Sequence, residues 1–364
     1  MNRQIYFFCG TTAELIKLAP IIKRFKEQKI PFKFITSGQT KIRFEDLEEY
    51  TGHIKIYHSF PEKENKSSII NFIFWFIKTL GQAIFLFRSE FLGLNKSNSY
   101  FIIHGDTVSS LIGALLARFY GLKIVHVESG LRSFNFLEPF PEEICRFIII
   151  RLSDILFAPN DWAISNLKGL GGEKVNTGQN TVVESVFWVL SRKTRFKAIV
   201  GRKYYILTMH RQEHVLFRSK WTREMLEFVI KNSPLDLYCV LVMHHWTKKF
   251  LNSLNITDFQ RKRLLVVERL PYIEFINLMR RCEYYVGDGC SNQEEAYVMG
   301  IPYIALRNLT ERVEGLNKNV VISFEDTYRI KDFLVKYLKY RKSSLKPTAS
   351  PSEIIIDYLV SNKK

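Results

Sequence analysis

The sequence predicts an α/β fold of two doubly wound, Rossmann-like domains facing a cleft. Three observations carry this. Short apolar runs alternate with helical patterns along both halves of the chain. The runs are followed by small and polar residues, as strand ends over a ligand crevice are. And 364 residues is long for one core and comfortable for two.

Taken in order, "IYFFCG" (5–10) reads as a buried strand, and "AELIKLAPIIKRFKEQ" after it as a helix. "FKFITSG" is the next strand. "SYFIIHGD" (99–106) leads into the helix "TVSSLIGALLARFYG", and "KIVHVESG" (123–130) is again a strand. The second half repeats the rhythm with "KYYILTMH" (203–210), a helix around 218–232, "LYCVLVMHH", "LLVVERLP", "EYYVGDG" and "PYIALRN". The boundary falls near 180–200. It divides residues 1–185 from 186–364, and a return of the extreme C-terminal helix to the first domain is allowed for.

Composition narrows the function. The formal net charge of +17 calls for an anionic partner: nucleic acid, a nucleotide-type substrate or an anionic membrane. No nucleic-acid motif is present, and solvated basic faces are common. Cys9, Cys145, Cys239, Cys282 and Cys290 are odd in number and lack metal-ligand spacing, which points to reduced thiols and no metal. The opening Met-Asn-Arg-Gln runs straight into a strand, so no signal peptide is expected and the expected location is cytoplasmic.

One segment breaks the alternation. "SSIINFIFWFIKTLGQAIFLFRSEF" (67–91) is apolar on nearly every side, and Lys78 and Gln82 interrupt it, which argues against a membrane span. A buried helix is the plain expectation. The alternative is a helix dipping into the inner face of an anionic membrane, helped by the basic stretch "KYLKYRKSSLK" (336–346). On that alternative Phe72, Trp75, Phe76, Phe85 and Phe87 face outward.

Polar residues gather where the strands end. Gly10-Thr11-Thr12-Ala13-Glu14 follows the first strand, with Lys17 one turn into the helix. Asp106 follows Gly105; His126, Glu128, Ser129 and Gly130 lie along and after the next strand. "PFPEEICR" supplies Glu142, Glu143 and Arg146 at a helix start. A lone acid at a helix start is usually a cap. Several acids brought to one face need a cation or a substrate to offset their repulsion. In the second half, His210 and Arg211 end a strand and suit a diphosphate. "DGCSNQEEAYVMGIP" (288–302) places small residues before a helix, where backbone N–H groups can approach an anion. Glu294 or Glu295, one turn in, suits a sugar hydroxyl pair.

Together these stretches resemble the UDP-N-acetylglucosamine 2-epimerase family, in its non-hydrolysing branch with a glycosyltransferase-B-like fold. "HGDT", "HVESGLRS", "PFPEEICR", "TGQNTVVESV", "HRQE", "DGCSNQEEAYVMGIP" and "TERVEG" stand in the family's order, and the likeness covers most of the chain. The resemblance implies Asp106, Glu128 and Glu142 as the catalytic carboxylates. Lys17, Arg146 and His210 would steady the sugar diphosphate, with Arg211 and the loop Gly289-Cys290-Ser291 beside it and Glu295 on the ribose. Gln39 matches a position that contacts a second, regulatory sugar nucleotide in some members. A UDP-sugar is the implied partner, homodimers occur in the family, and no cofactor is implied.

The chemistry agrees with that implication. The C2 hydrogen of such a sugar has no neighbouring carbonyl, so inversion requires transient oxidation or elimination. Gly10 stands alone without a dinucleotide glycine fingerprint, which leaves elimination of UDP. Two carboxylates and a cationic diphosphate clamp are what that reaction needs.

Four positions depart from the family pattern: Thr12 stands for an arginine, Gly289-Cys290-Ser291 for Ser-Gly-Gly, Val313 for a proline and Trp246 for a basic residue. Lysine cannot replace a bidentate arginine geometrically. These departures and the 67–91 segment give the competing expectation of a membrane-associated glycosyltransferase that uses a UDP-sugar and a lipid-linked acceptor. A hydrolysing epimerase and a non-catalytic sensor fit less well, because "HRQE" and the carboxylates are retained.

Overall fold

A computed structural model describes residues 3–63, 69–192, 201–209, 211, 214, 218–243 and 248–361. The chain divides into two compact units, Met1–Ser185 with Thr348–Lys364, and Val186–Pro347.

The first unit is built on a parallel sheet of seven strands among the described residues. They are β1 (Gln4–Cys9), β2 (Lys33–Thr36), β3 (Ile56–Ser59), β4 (Ser99–His104), β5 (Lys123–Val127), β6 (Ile155–Ala158) and β7 (Glu173–Asn176), in the order β3-β2-β1-β4-β5-β6-β7. The order reverses between β1 and β4, and a doubly wound sheet binds its ligand at such a switch point. Strand side chains alternate between the two faces. Tyr6 and Phe8 join Phe101 and Ile103 in a core under α3 (Ile69–Leu86), α5 (Val108–Tyr120) and α6 (Glu142–Leu152). Phe7, between them, turns the other way onto Phe25 of α1 (Thr12–Glu27), ring centroids 5.4 Å apart. Buried on both faces, these strands read as continuous apolar runs.

Short elements complete this unit: α2 (Glu48–Thr51), α4 (Arg88–Leu92), α7 (Asp161–Ser165) and α8 (Val182–Leu190), which carries the chain into the second unit. The second unit repeats the plan with β8 (Tyr204–Thr208), β9 (Tyr238–Val242), β10 (Leu264–Val267), β11 (Tyr285–Gly287), β12 (Tyr303–Ala305) and β13 (Val320–Ile322). All pair in parallel, in the order β10-β9-β8-β11-β12-β13. Its switch point lies between β8 and β11. One sheet face packs under α9 (Ser219–Asn232), and the short α10 (Asp258–Arg261), α11 (Tyr272–Arg281) and α12 (Cys290–Met299) follow. α13 (Thr327–Lys336) supplies Ile330, Phe333 and Leu334 to the α9 face.

The last helix, α14 (Pro351–Ser361), lies on α1 of the first unit. Arg24 Nε donates to Ser352 Oγ at 2.6 Å, and Tyr358 packs edge-on against Phe157.

The 67–91 segment is neither wholly buried nor turned outward on its aromatic residues. Trp75, Ala83, Phe87 and Phe91 belong to the core, with Phe72 and Phe76 packed against it. Of the five residues expected outward on the membrane alternative, Phe85 alone is exposed. The physical reason is the sheet: β1 and β4 present a wide apolar face that takes one side of α3 whatever its other side carries. Among the described residues, no helix is long and apolar enough to cross a membrane.

Candidate functional site

In the first unit, the ends of β1, β4 and β5 converge. Gly10 follows β1 in a place a side chain could not occupy, since a Cβ there would come within 2.3 Å of Ser109 Cβ and 2.5 Å of Ser37 Oγ. This close approach joins the turn after β1, the turn after β2 and the start of α5. Gln39 adds to it, its Oε1 accepting from Ser109 N at 2.8 Å. Glu14 locks the same place from beneath. Its fully buried carboxyl accepts from Gly10 N (2.8 Å), Thr107 Oγ1 (2.6 Å) and Ser110 Oγ (2.8 Å). Burial raises the Glu14 pKa, and these donors pull against that rise.

Asp106 stands at the β4 end and Glu128 at the β5 end, adjacent strands in register. Each acid has its own cation. Lys17 Nζ lies 2.6 Å from Glu128 Oε2, both buried. Arg146 pairs with Asp106 through one nitrogen and with Glu143 through another, the latter at 3.1 Å. The repulsion anticipated from acids gathered on one face is therefore offset within the protein. Glu128 also adopts φ 66°, a left-handed conformation that costs an L-residue about 1–3 kcal/mol and clusters at functional sites.

Beneath the acids, His126 Nε2 donates to Gly105 O at 2.7 Å. Desolvation by burial lowers its pKa to about 4, so it stands neutral.

Of the pair in "PFPEEICR", Glu142 opens α6 half-buried, while Glu143 is the acid that Arg146 holds. Glu143 also accepts from Arg132 Nε and from Ser133 N at 3.1 Å. Burial by itself would raise the Glu143 pKa, but the Arg132 hydrogen bond and the neighbouring cations hold it low.

Sequence reasoning quoted "TGQNTVVESV" and gave it no role. Asn180 Nδ2 donates to Glu128, Thr181 Oγ1 donates to Lys17 O at 2.5 Å, and Ser185 Oγ donates to Ile16 O at 2.7 Å. This one segment thus fixes both members of the Lys17–Glu128 pair. The signal was the polar run Gln179-Asn180-Thr181 directly before an apolar helical stretch.

Thr12, at the family's arginine position, is buried at the start of α1, where its Oγ1 accepts from Arg43 N at 3.1 Å.

In the second unit, the β8 and β11 ends meet. His210 lies outside the described residues, as do Gln212, Glu213 and Trp246. Arg211 N donates to the buried Asp288 at 3.0 Å, and Asp288 also meets His214 Nδ1 at 3.2 Å. Gly289 caps α12, and its carbonyl accepts from Tyr303 OH at 2.8 Å. Cys290 Sγ takes Arg307 Nη1 at 2.7 Å and Arg211 Nη2 at 3.3 Å. Desolvation raises the Cys290 pKa despite the Arg307 charge beside it. Ser291 follows in the first turn, half-buried. Glu294 is taken by Arg312 at 2.7 Å, whereas Glu295, in the next position, accepts from Asn292 Nδ2 at 2.9 Å.

Two parallel α/β units, one with cation-paired acids at its switch point and one with arginines around a helix N-terminus, define a nucleotide-type enzyme of the glycosyltransferase-B-like class. The chain belongs to the UDP-N-acetylglucosamine 2-epimerase family, whose sequence model matches residues 85–352. It is 27% identical to the UDP-N-acetylglucosamine 2-epimerase of Methanococcus maripaludis, over 99% of each chain. It is 33% identical to the UDP-2,3-diacetamido-2,3-dideoxy-D-glucuronate 2-epimerase of Pseudomonas aeruginosa, over 58% of this chain and 60% of that one. Among solved structures it is similar to the Methanocaldococcus jannaschii UDP-GlcNAc 2-epimerase in complex with UDP-GlcNAc and UDP. That similarity has a TM-score of 0.82 and 25% identity, over 99% of this chain and 100% of the other.

Proposed function

We propose that this protein interconverts UDP-N-acetylglucosamine and UDP-N-acetylmannosamine, or a closely related UDP-N-acetyl sugar pair, in the assembly of surface polysaccharide. The observation that carries the reading is the pair Asp106 and Glu128 at neighbouring strand ends, each held by its own buried cation, Arg146 and Lys17. One carboxylate takes the C2 proton. The C2–H electrons form the C1–C2 double bond, and the C1–O pair leaves with UDP. The glycal that results is protonated at C2 from the other face by the second carboxyl group, and UDP re-adds at C1. Glu142 stands as the third carboxylate of the set.

Arg211, His210 and the loop Gly289-Cys290-Ser291 are assigned to the diphosphate, and Glu295 to the ribose. A helix N-terminus and guanidinium groups suit a leaving group whose charge grows in the transition state. The sugar is assigned to residues 1–185 and the nucleotide to 186–364, less the returning α14. Gln39 is assigned to a regulatory sugar nucleotide, although its amide oxygen is engaged by Ser109 N.

The membrane-associated transferase is not favoured: a relative matched over nearly the whole chain is named as an epimerase, and Trp75 and Phe87 lie in the core. The partner is a sugar nucleotide and not nucleic acid.

Incubation of the purified protein with UDP-N-acetylglucosamine alone tests the reading. Proton NMR should show a second UDP-N-acetyl sugar with an inverted C2 growing to a constant ratio. Release of free sugar, or no change until an acceptor is added, would exclude it.

A further inference from the structure

The basic stretch near the end of the second unit carries an apolar row on its outer side. In α13 and the 3-10 turn after it (Tyr337–Tyr340), Ile330, Phe333, Leu334, Tyr337 and Tyr340 pack into the core under α9. Helical spacing turns Tyr328 (85% exposed), Val335 (63%) and Leu338 (65%) the other way, into solvent.

Cations surround this row. Arg329, Lys331, Lys336, Lys339, Lys342 and Lys346 are all exposed. Asp332 is the one acid between residues 327 and 346, and Lys336 Nζ holds it at 2.5 Å. Arg341 is turned inward and donates to Cys282 O at 2.8 Å. Five exposed cations therefore remain once Lys336 is set against Asp332. We infer that this face docks on an anionic lipid surface, with Tyr328, Val335 and Leu338 at headgroup depth and the lysines on the lipid charges.

Both parts of the pattern select that partner. Basic recognition of anionic lipid uses clusters of about 4–8 Lys or Arg, each tightening binding about 5-fold. Long lysyl stems let the ammonium groups stay in the polar layer while apolar neighbours enter the interface, where tyrosine is also favoured. Nucleic acid would use the same cations. However, Val335 and Leu338 standing out between them add nothing to phosphate contact, and a convex helix offers no groove to track a strand. Helix α3 also has exposed apolar residues, but it contains a single charged residue, Lys78, so charge gives it no preference for an anionic surface. The inference uses none of the residues assigned to the substrate and stands apart from the reaction.

Flotation of the full chain with phosphatidylglycerol–phosphatidylcholine vesicles, against phosphatidylcholine alone, tests it. Binding should require phosphatidylglycerol. It should weaken as NaCl rises from about 0.1 M to about 1 M, over which the Debye length falls from about 10 Å to about 3 Å. Lys331→Gln with Lys339→Gln and Lys342→Gln should weaken it about 100-fold, and Val335→Ser with Leu338→Ser about 10-fold or more. Melting curves and turnover should be unchanged in both variants, since all five side chains lie outside the core. No binding to the anionic vesicles, or binding that survives both variants, would overturn the inference. So would binding lost in Phe85→Ser and kept in the α13 variants, which would assign the lipid contact to α3. Vesicle binding indifferent to Val335→Ser with Leu338→Ser, beside RNA binding of equal strength lost in the lysine variant, would assign the face to nucleic acid instead.

Discussion

Protonation of His126 should set much of the acid sensitivity of the first unit. The ring is buried between the β4 and β5 ends, with Nε2 donating to Gly105 O. Nδ1, where a proton must go, is buried and has no hydrogen-bond partner among the described residues. Burial therefore lowers the pKa from the ordinary 6.5 to about 4. The unfolded chain takes this proton near ~6.5, and the folded chain only near 4. The contribution to stability is complete above the unfolded value and is lost as pH falls from there toward 4. Linkage gives a loss of about 2 kcal/mol between pH 7 and pH 5 from this residue alone. Urea unfolding at the two pH values measures it. Wild type should lose about 2 kcal/mol more than His126→Gln, which keeps a donor in reach of Gly105 O and cannot titrate. Comparing pH differences cancels any fixed cost of the substitution. Equal losses in the two proteins would refute the reasoning and mean that His126 is solvated or already charged.

Two further outcomes test the site. Glu295→Ala should weaken UDP binding by about 1–3 kcal/mol in calorimetry, as loss of a charge-assisted hydrogen bond would, while Glu294→Gln should instead cost stability by breaking the buried Arg312 pair. Asn180→Ala should lower kcat by about 10-fold or more, with a smaller change in KM. It frees the Glu128 carboxylate that Lys17 alone cannot orient, and a hydrogen bond to a charged group is worth about 1.5–3 kcal/mol.

The parallel α/β architecture was legible because strands buried on both faces leave continuous apolar runs, as in "IYFFC" and "YYILT". β3 and β7 left no such mark. They lie at the two edges of the first sheet, largely exposed, and "IYHS" and "EKVN" carry neither an apolar run nor a clean alternation. The acids could be found at strand ends, but their partners could not. Lys17 and Glu128 are far apart in sequence, as are Arg146 and Asp106, and only the order β1-β4-β5 brings them together. Adjacent Glu142 and Glu143 look alike in the chain, and the direction of α6 brings Glu143 onto Arg146. The two-sidedness of α3 was hidden for a different reason, since both its inner and outer faces are apolar.

Deuterium at C2 tests the central claim most directly. An elimination mechanism exchanges the C2 hydrogen with solvent, because the carboxylate that removes the proton is not the one that returns it. In heavy water with UDP-N-acetylglucosamine, the product should carry deuterium at C2, and Asp106→Asn and Glu128→Gln should each lose most of the exchange. Thr12→Arg, which restores the family's cation, should raise it if the buried threonine only weakens the enzyme. Product with its C2 hydrogen retained, or UDP released with no deuterium at C2 and only in the presence of a lipid-linked acceptor, would contradict the account.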